Sequence, residues 1–125
     1  MPNPIVHFEI IGKDAAATQK FYADLFDWNV NADNPMNYGT VSAQEDKGIG
    51  GGVAAGQQGE TYVTVYAEVA DLQATLDKAE SLGGKTVMEP MEIPGVVTMA
   101  MFTDPDGNLI GIIKADSDTQ GATGG

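Results

Sequence analysis

The chain repeats itself. Val6, Asp14, Ala17, Thr18 and Leu25 recur as Val63, Asp71, Ala74, Thr75 and Leu82, each pair 57 positions apart. The register continues without a gap, with Ala43 on Ala100 and Gly50 on Gly107. Each identity alone is weak, but all of them fall in one shared order: an alternating apolar run, an aspartate, a helical stripe, then further strand-like runs. A repeat of this period means equivalent supersecondary units that bury their apolar faces together. It also limits where a site can lie, namely between two equivalent modules.

Ile5 to Ile11 alternates, with Val6, Phe8 and Ile10 on one face and His7, Glu9 and Ile11 on the other. That is the period of a strand. Asp14 is placed to cap a helix, in which Thr18, Phe21, Tyr22 and Leu25 recur at the spacing of a core-facing stripe. Trp28 to Val30 begins a second strand, Asn31 to Asn37 has turn chemistry around Pro35, and 38–43 and 49–55 are further strands. Gly56 to Glu60 reads as a flexible polar linker. Tyr62 to Val69 alternates again, with Val63, Val65, Ala67 and Val69 opposite Thr64, Tyr66 and Glu68. Asp71 caps a second helix carrying Leu72, Thr75, Leu76, Ala79 and Leu82, and Gly83-Gly84 ends it. Strands follow at 85–89, 96–103 and 109–113, with Asp104-Pro105-Asp106-Gly107 suited to a type I turn. Residues 116–125 are small and polar and are expected to form a flexible tail.

The predicted architecture is α+β: two paired βαβββ modules, about 4–56 and 61–114, within one domain of residues 1–115. A curved mixed sheet surrounds a central cavity and the helices lie outside. The alternation puts Val6, Phe8 and Ile10 under the first helix and Val63, Val65 and Ala67 under the second. His7, Glu9, Thr64 and Tyr66 then face a half-polar concavity of the kind that holds a small ligand.

Charge narrows the partners. Eighteen acidic against six basic residues give a formal charge of −12, which opposes binding to nucleic acid and to anionic membranes. Cysteine is absent from the sequence, which is compatible with a reducing compartment. No basic segment precedes the first apolar run, and Glu9 and Lys13 interrupt it, so no signal peptide or membrane span is read and a cytoplasmic location is expected.

Several motifs fail on inspection. The stretch from Gly50 to Ala55 imitates a dinucleotide fingerprint, but no capped helix follows it. Asp104, Asp106 and Asn108 resemble the start of a calcium loop that lacks its glycine and terminal glutamate. Nothing places a serine near His7 for a nucleophilic triad.

Three segments carry a family resemblance. Phe21-Tyr22-Ala23-Asp24-Leu25-Phe26-Asp27-Trp28 resembles a helix end of the form FY…LFGW, with Asp27 in place of the usual glycine. Leu82-Gly83-Gly84-Lys85 resembles an LGG helix stop, and Phe102 to Asn108 resembles an F.DPDGN hairpin. Together with the repeat, these segments resemble the glyoxalase/bleomycin-resistance/extradiol-dioxygenase (vicinal oxygen chelate) superfamily, in particular a hydroxylase-like branch. The resemblance implies the paired-module fold and a homodimer. It also implies four metal-ligand positions, one on the first and one on the last strand of each module. These fall on His7, Ala54, Thr64 and Gly111. One imidazole among them does not make the donor set a divalent ion needs, so no metal or other cofactor is expected. A divergent divalent-metal site that recruits Glu9 or Glu68 is the alternative.

His7 is the only histidine. It is either a hydrogen-bonded structural residue or the natural proton carrier, with Glu9 or Glu68 as its partner. Met88, Met91, Met99 and Met101 fill a core or form an adaptable pocket wall, while Tyr66 and Trp28 stack on a ligand or fill space. The expected function is metal-free binding of a small molecule, with Thr64, Tyr66, Met99, Met101 and Trp28 as contacts. The alternative is a divergent lyase, isomerase or dioxygenase using His7 as metal ligand or general base. The expected ligand is partly apolar and neutral or cationic, and Tyr66→Ala is expected to weaken its binding while leaving the fold intact.

Overall fold

Two aspartates start the two helices as the repeat requires. The Asp14 carboxylate accepts the Ala17 amide at 3.0 Å, and that of Asp71 accepts the Ala74 amide at 2.9 Å. The computed structural model describes residues 2–44, 47–93 and 97–115. Its elements are β1 (Ile5–Gly12), α1 (Ala15–Phe26), β2 (Val30–Asn31), β3 (Gly39–Val41), β4 (Gly50–Ala55), β5 (Tyr62–Val69), α2 (Leu72–Ser81), β6 (Lys85–Ile93), β7 (Val97–Thr103) and β8 (Leu109–Lys114). The expected start of a strand at Val96 and the expected tail at 116–125 lie outside the described residues.

In the first half β1 runs parallel to β4, and β3 and β2 extend the sheet by antiparallel pairing. In the second half β5 runs parallel to β8, and β7 and β6 extend it in the same way. A parallel pair needs a long crossover, and in each half that crossover includes the helix. The chain is thus α+β, with two βαβββ modules built on mixed sheets.

The ungapped register of the sequence repeat does not survive to the last strands. Glu9 pairs with Gly52, and Tyr66 pairs with Gly111. The first strands are offset by 57 residues, but these partners are offset by 59. The second half thus has two more residues between its first and last strands than the first half has between the equivalent strands, a difference that loops tolerate. The structural counterpart of Gly111 is therefore Gly52, not Ala54.

The chain divides into two compact units, one of residues 6–65 and the other of residues up to Ile5 together with those from Tyr66 on. The division falls inside β5 rather than in the linker at 56–60. The side chain of Tyr62 bonds within the first unit, and the Glu68 amide bonds to Pro4 O within the second.

The second unit has the core that the pattern predicts. Val69, Leu72, Leu76, Ala100 and Ile112 cluster, with Ala67 and Phe102 packed on them. Leu82 at the end of the stripe is exposed, because the helix stops there and Gly83 turns the chain at φ +104.

The first helix departs from its pattern. Phe21 and Leu25 are 58% and 57% exposed, and the buried residue of α1 is Gln19. Gln19 Nε2 donates to Val53 O at 2.8 Å and to Asn37 O at 3.1 Å. The buried Val53 carbonyl needs a donor, and supplying it while also holding Asn37 O outweighs burying one more apolar ring. Val63, expected beneath the second helix, is 68% exposed. It lies in the part of β5 that belongs to the first unit, so α2 does not cover it.

Strand β6 extends past its expected end at Glu89, through Pro90 to Ile93, with register shifts between Thr86 and Met88 and between Met88 and Met91. Proline is tolerated there because β6 pairs through β7 at the margin of its half-sheet, where a missing amide breaks no ladder bond. The Asp104–Asn108 hairpin is a turn: the Asp104 carboxylate accepts the amides of Asp106 and Asn108, both at 2.9 Å, and Gly107 has φ +93.

Candidate functional site

Glycine at 52 creates the site. Strand β4 lies beside β1 with Gly50 opposite His7 and Gly52 opposite Glu9. Directly opposed residues share a face of the sheet. The space that a Gly52 side chain would take is filled by the ring of Tyr38, and on the other face the ring of Phe8 fills the space above Gly51.

A short loop delivers Tyr38 to that space. Asn34 clamps the Tyr38 backbone, accepting its amide at 2.9 Å and donating to its carbonyl at 2.7 Å. Asn37, in the left-handed region at φ 53, turns the chain toward β3, and Gln19 of α1 holds its carbonyl. Asparagine adopts that conformation more readily than most residues.

The outcome is a hydrogen-bonded cluster. The Tyr38 hydroxyl donates to Glu9 Oε2 at 2.9 Å and lies 2.8 Å from His7 Nε2. Tyr62, at the start of β5, donates its hydroxyl to Glu9 Oε1 at 3.3 Å. Glu9 is only 8% exposed, and phenolic donors offset part of the cost of burying a carboxylate. Burial pushes the His7 imidazole below its ordinary value of 6.5, although the Glu9 charge opposes the shift. Burial, and then the Glu9 charge, push both phenols upward. Near neutral pH the cluster therefore holds a neutral imidazole and two protonated phenols, an arrangement able to accept hydrogen bonds at the carboxylate and to take up a proton at the histidine.

The other expected site residues lie as follows. Thr64 is buried, and its hydroxyl makes a long 3.4 Å contact to Val65 O. Tyr66 is 2% exposed, and its ring covers Gly111. Met101 pairs with Gly111 and Met88, while Met99 pairs with Ile113 and Met91. Tyr66, Met99 and Met101 thus occupy the face of the second half-sheet opposite its Ala67–Ala100–Ile112 core face. Glu68 pairs with Ile113, one row further along from Tyr66.

Two of the expected contacts also have packing roles. Trp28 stands on the Phe8 face, away from His7, with ring centroids 5.3 Å from Phe8, 5.8 Å from Tyr22 and 5.1 Å from Phe26. The aromatic residues at the end of α1 draw it there, so it does not join the His7 cluster. Tyr66 is core rather than an expendable wall, and truncating it opens a void that costs about 3–5 kcal/mol by analogy with buried aromatics.

Tyr38 and Tyr62 were not read as site residues from the sequence. Tyr62 was within reach of the alternation, two positions before Thr64 on the same face. Tyr38 had a fainter signal: three consecutive glycines in a strand leave room that large side chains from elsewhere must fill.

The residues present do not fit the metal that the fold family implies. Of the four positions, only His7 offers a suitable donor, and its Nε2 is engaged by Tyr38. The Tyr66 ring occupies the space from which a ligand at Gly111 would extend. Among the described residues no group of three His, Cys, Asp or Glu side chains comes together.

Known proteins share both sequence and shape with this chain. It is 28% identical over 123 residues to the anthracycline biosynthesis protein DauV of Streptomyces sp. (strain C5), a match that covers 85% of this chain and 45% of DauV. It is equally similar to DnrV of Streptomyces peucetius. The chain therefore spans less than half the length of these relatives. Among solved structures, methylmalonyl-CoA epimerase from Mycobacterium tuberculosis superposes with a TM-score of 0.63 at 16% identity, covering 94% of this chain and 91% of that one. A superfamily member from Vibrio splendidus 12B01 gives 0.58 at 16% identity, covering 90% and 99%. At such identities the likeness concerns the fold alone. Residues 4–112 match the sequence pattern of the Glyoxalase/Bleomycin resistance protein/Dioxygenase superfamily, and the chain belongs to that family.

Proposed function

We propose that the protein binds a small, partly apolar, neutral or cationic molecule at the His7–Glu9 face of β1, without a metal ion. The observation that carries this reading is the buried Glu9 carboxylate, held by two phenols beside a neutral imidazole. A carboxylate in such surroundings favours donors and cations. A polyanion meets that charge and the chain's −12. The relatives named for anthracycline biosynthesis support an aromatic ligand, since anthracyclines are themselves aromatic. Thr64 of the first unit and, separately, Tyr66, Met99 and Met101 on their own face of the second half-sheet are also proposed as contacts for small molecules, with Met side chains able to repack around different shapes. A cytoplasmic homodimer is also proposed. The exposed apolar residues Phe21, Leu25 and Phe26 support the dimer, and light scattering that gives a monomer mass at micromolar concentration would remove it.

A thermal-shift screen followed by calorimetric titration tests the binding reading. Cationic aromatics are expected to stabilise the protein, and Glu9→Gln to weaken their binding about tenfold, or about 1.4 kcal/mol. Stabilisation by phosphorylated compounds alone overturns the reading. Elemental analysis tests the metal-free part: one metal per chain, lost in His7→Ala, refutes it.

One observation favours a second reading, a divergent lyase, isomerase or dioxygenase. A neutral His7 linked through Tyr38 to Glu9 is equipped to accept a proton from a bound molecule. Turnover that disappears in His7→Gln while binding persists would establish it.

A further inference from the structure

We infer that the open face of the second half-sheet holds a soft monovalent cation, Cu(I) or its analogue Ag(I), through the thioethers of Met88, Met91, Met99 and Met101. Four of the chain's six methionines come together there. Met88 lies directly opposite Met101, and Met91 opposite Met99, across β6 and β7. Met101 in turn pairs with Gly111 of β8, and Met99 with Ile113. Directly opposed residues share a face. The other face is the packed side, where Val69, Leu72, Leu76, Ala100 and Ile112 form the core and no methionine enters. Met88 and Met91 are three residues apart, a spacing that puts two side chains of a regular strand on opposite faces. The register shift between them cancels this, because three steps along β6 match two along β7. A bulge re-aims a side chain in this way, and bulges gather next to sites.

Spacing and chemistry both suit one ion. Opposed Cβ atoms in an antiparallel pair stand about 5 Å apart, and next-but-one residues of a strand about 7 Å. The centre of such a rectangle is about 4 Å from each corner, within reach of an unbranched side chain with three rotatable bonds. Thioethers are neutral, soft donors that select Cu(I) over harder divalent ions. The chain has no cysteine, so methionine is its only sulfur donor. Met101 is 6% exposed, Met88 and Met99 are half-buried, and Met91 is 46% exposed. The group is thus reached from the β6 edge and sheltered toward β8. Glu68 pairs with Ile113, in the same row as Met99 and Met91. Its carboxylate adds to the −12 charge that favours a cation. This ion is distinct from the divalent one that the His7 and Gly111 positions fail to hold. Its site does not rest on the small-molecule reading, although Met99 and Met101 serve both.

Titration of the whole chain with Ag(I) as the nitrate, in chloride-free buffer, tests the inference, read by NMR of protein labelled with 13C at the methionine methyls. The methyls of Met88, Met91, Met99 and Met101 are expected to move together and to stop moving at one silver per chain. That of Met36, which is 60% exposed, is expected to stay unmoved. Met99→Leu keeps the volume and removes the sulfur. Met91→Leu does the same at an exposed position that does not endanger the fold. Losing a ligand costs at least as much as losing a group that orients one, so each variant is expected to bind silver about tenfold or more weakly. Between about pH 6 and 8 the affinity is expected to hold level, because imidazole titrates in that range and a thioether has no proton to lose. Folded Met91→Leu and Met99→Leu proteins that bind silver as wild type does overturn the inference. So does a Met36 methyl that moves in step with the others, the mark of scattered single-sulfur binding. Affinity that falls with acid and vanishes in His7→Gln overturns it in favour of the imidazole. The titration uses no organic ligand, so its failure leaves the small-molecule reading standing, and an empty ligand screen leaves the silver result standing.

Discussion

Gly52 and Gly111 have negative φ and ordinary strand backbone, unlike Gly59, Gly83 and Gly107. Their requirement is room, not conformation: Tyr38 lies over one and Tyr66 over the other. Gly52→Ala and Gly111→Ala are each expected to destabilise by about 1–3 kcal/mol through overpacking, read from urea midpoints. His7 supplies a prediction in pH. Its folded-state value lies below the ordinary 6.5, so the unfolded chain binds the proton first as pH falls. The stability that His7 contributes is complete above about 6.5 and is lost as pH drops through the lower folded-state value. Replacing His7 with Gln should flatten this part of the stability-versus-pH curve relative to wild type. An equal slope in both proteins would show that His7 is not the group responsible.

At the level of elements, the two helices resemble each other in sequence and differ in use. Helix α2 buries Leu72 and Leu76 as its pattern predicts, whereas α1 leaves Phe21 and Leu25 outside and takes in Gln19. Leu76→Ala is expected to cost about 2–5 kcal/mol, but Leu25→Ala only about 0.5 kcal/mol or less. Gln19→Ala, which strands the buried Val53 carbonyl and releases that of Asn37, should cost about 1–3 kcal/mol and loosen the loop that carries Tyr38. Denaturant melts of the three variants check the ranking, and a larger loss at Leu25 than at Gln19 would contradict it. Strands, caps and the repeat were legible because alternation and Asp capping are local signals. The reversal on α1 was not, because hydropathy cannot register that a glutamine will find two carbonyls from distant segments. The site was half legible for the same reason. His7 and Glu9 share a face by simple periodicity, but Tyr38 joins them through a loop whose path depends on Asn34, Asn37 and a glycine in another strand.

For the molecule as a whole, charge is the dominant unbalanced quantity. With 18 acidic and six basic residues, self-repulsion opposes the folded state. The ion pair seen among the described residues, Lys20 with Asp24 at 2.7 Å, is exposed and is worth little. The melting temperature is therefore expected to rise as sodium chloride is raised from low millimolar to about 0.5 M, where screening acts over only a few ångströms. A melting temperature that stays level or falls would show that the folded state is not under net repulsion.

The ring of Tyr66 over Gly111 also bears on the routes by which such a chain can evolve. A carboxylate or imidazole introduced at 111 collides with that ring, and Tyr66 trimmed first leaves a void in the core. Each single step is costly while the pair of changes is less so, a non-additivity that a double-mutant cycle on Gly111→Ala and Tyr66→Ala would expose. A metal-binding ancestor or descendant is thus separated from this sequence by a valley rather than a slope, and a lineage that has once closed the position with an aromatic ring has little chance of reopening it one substitution at a time.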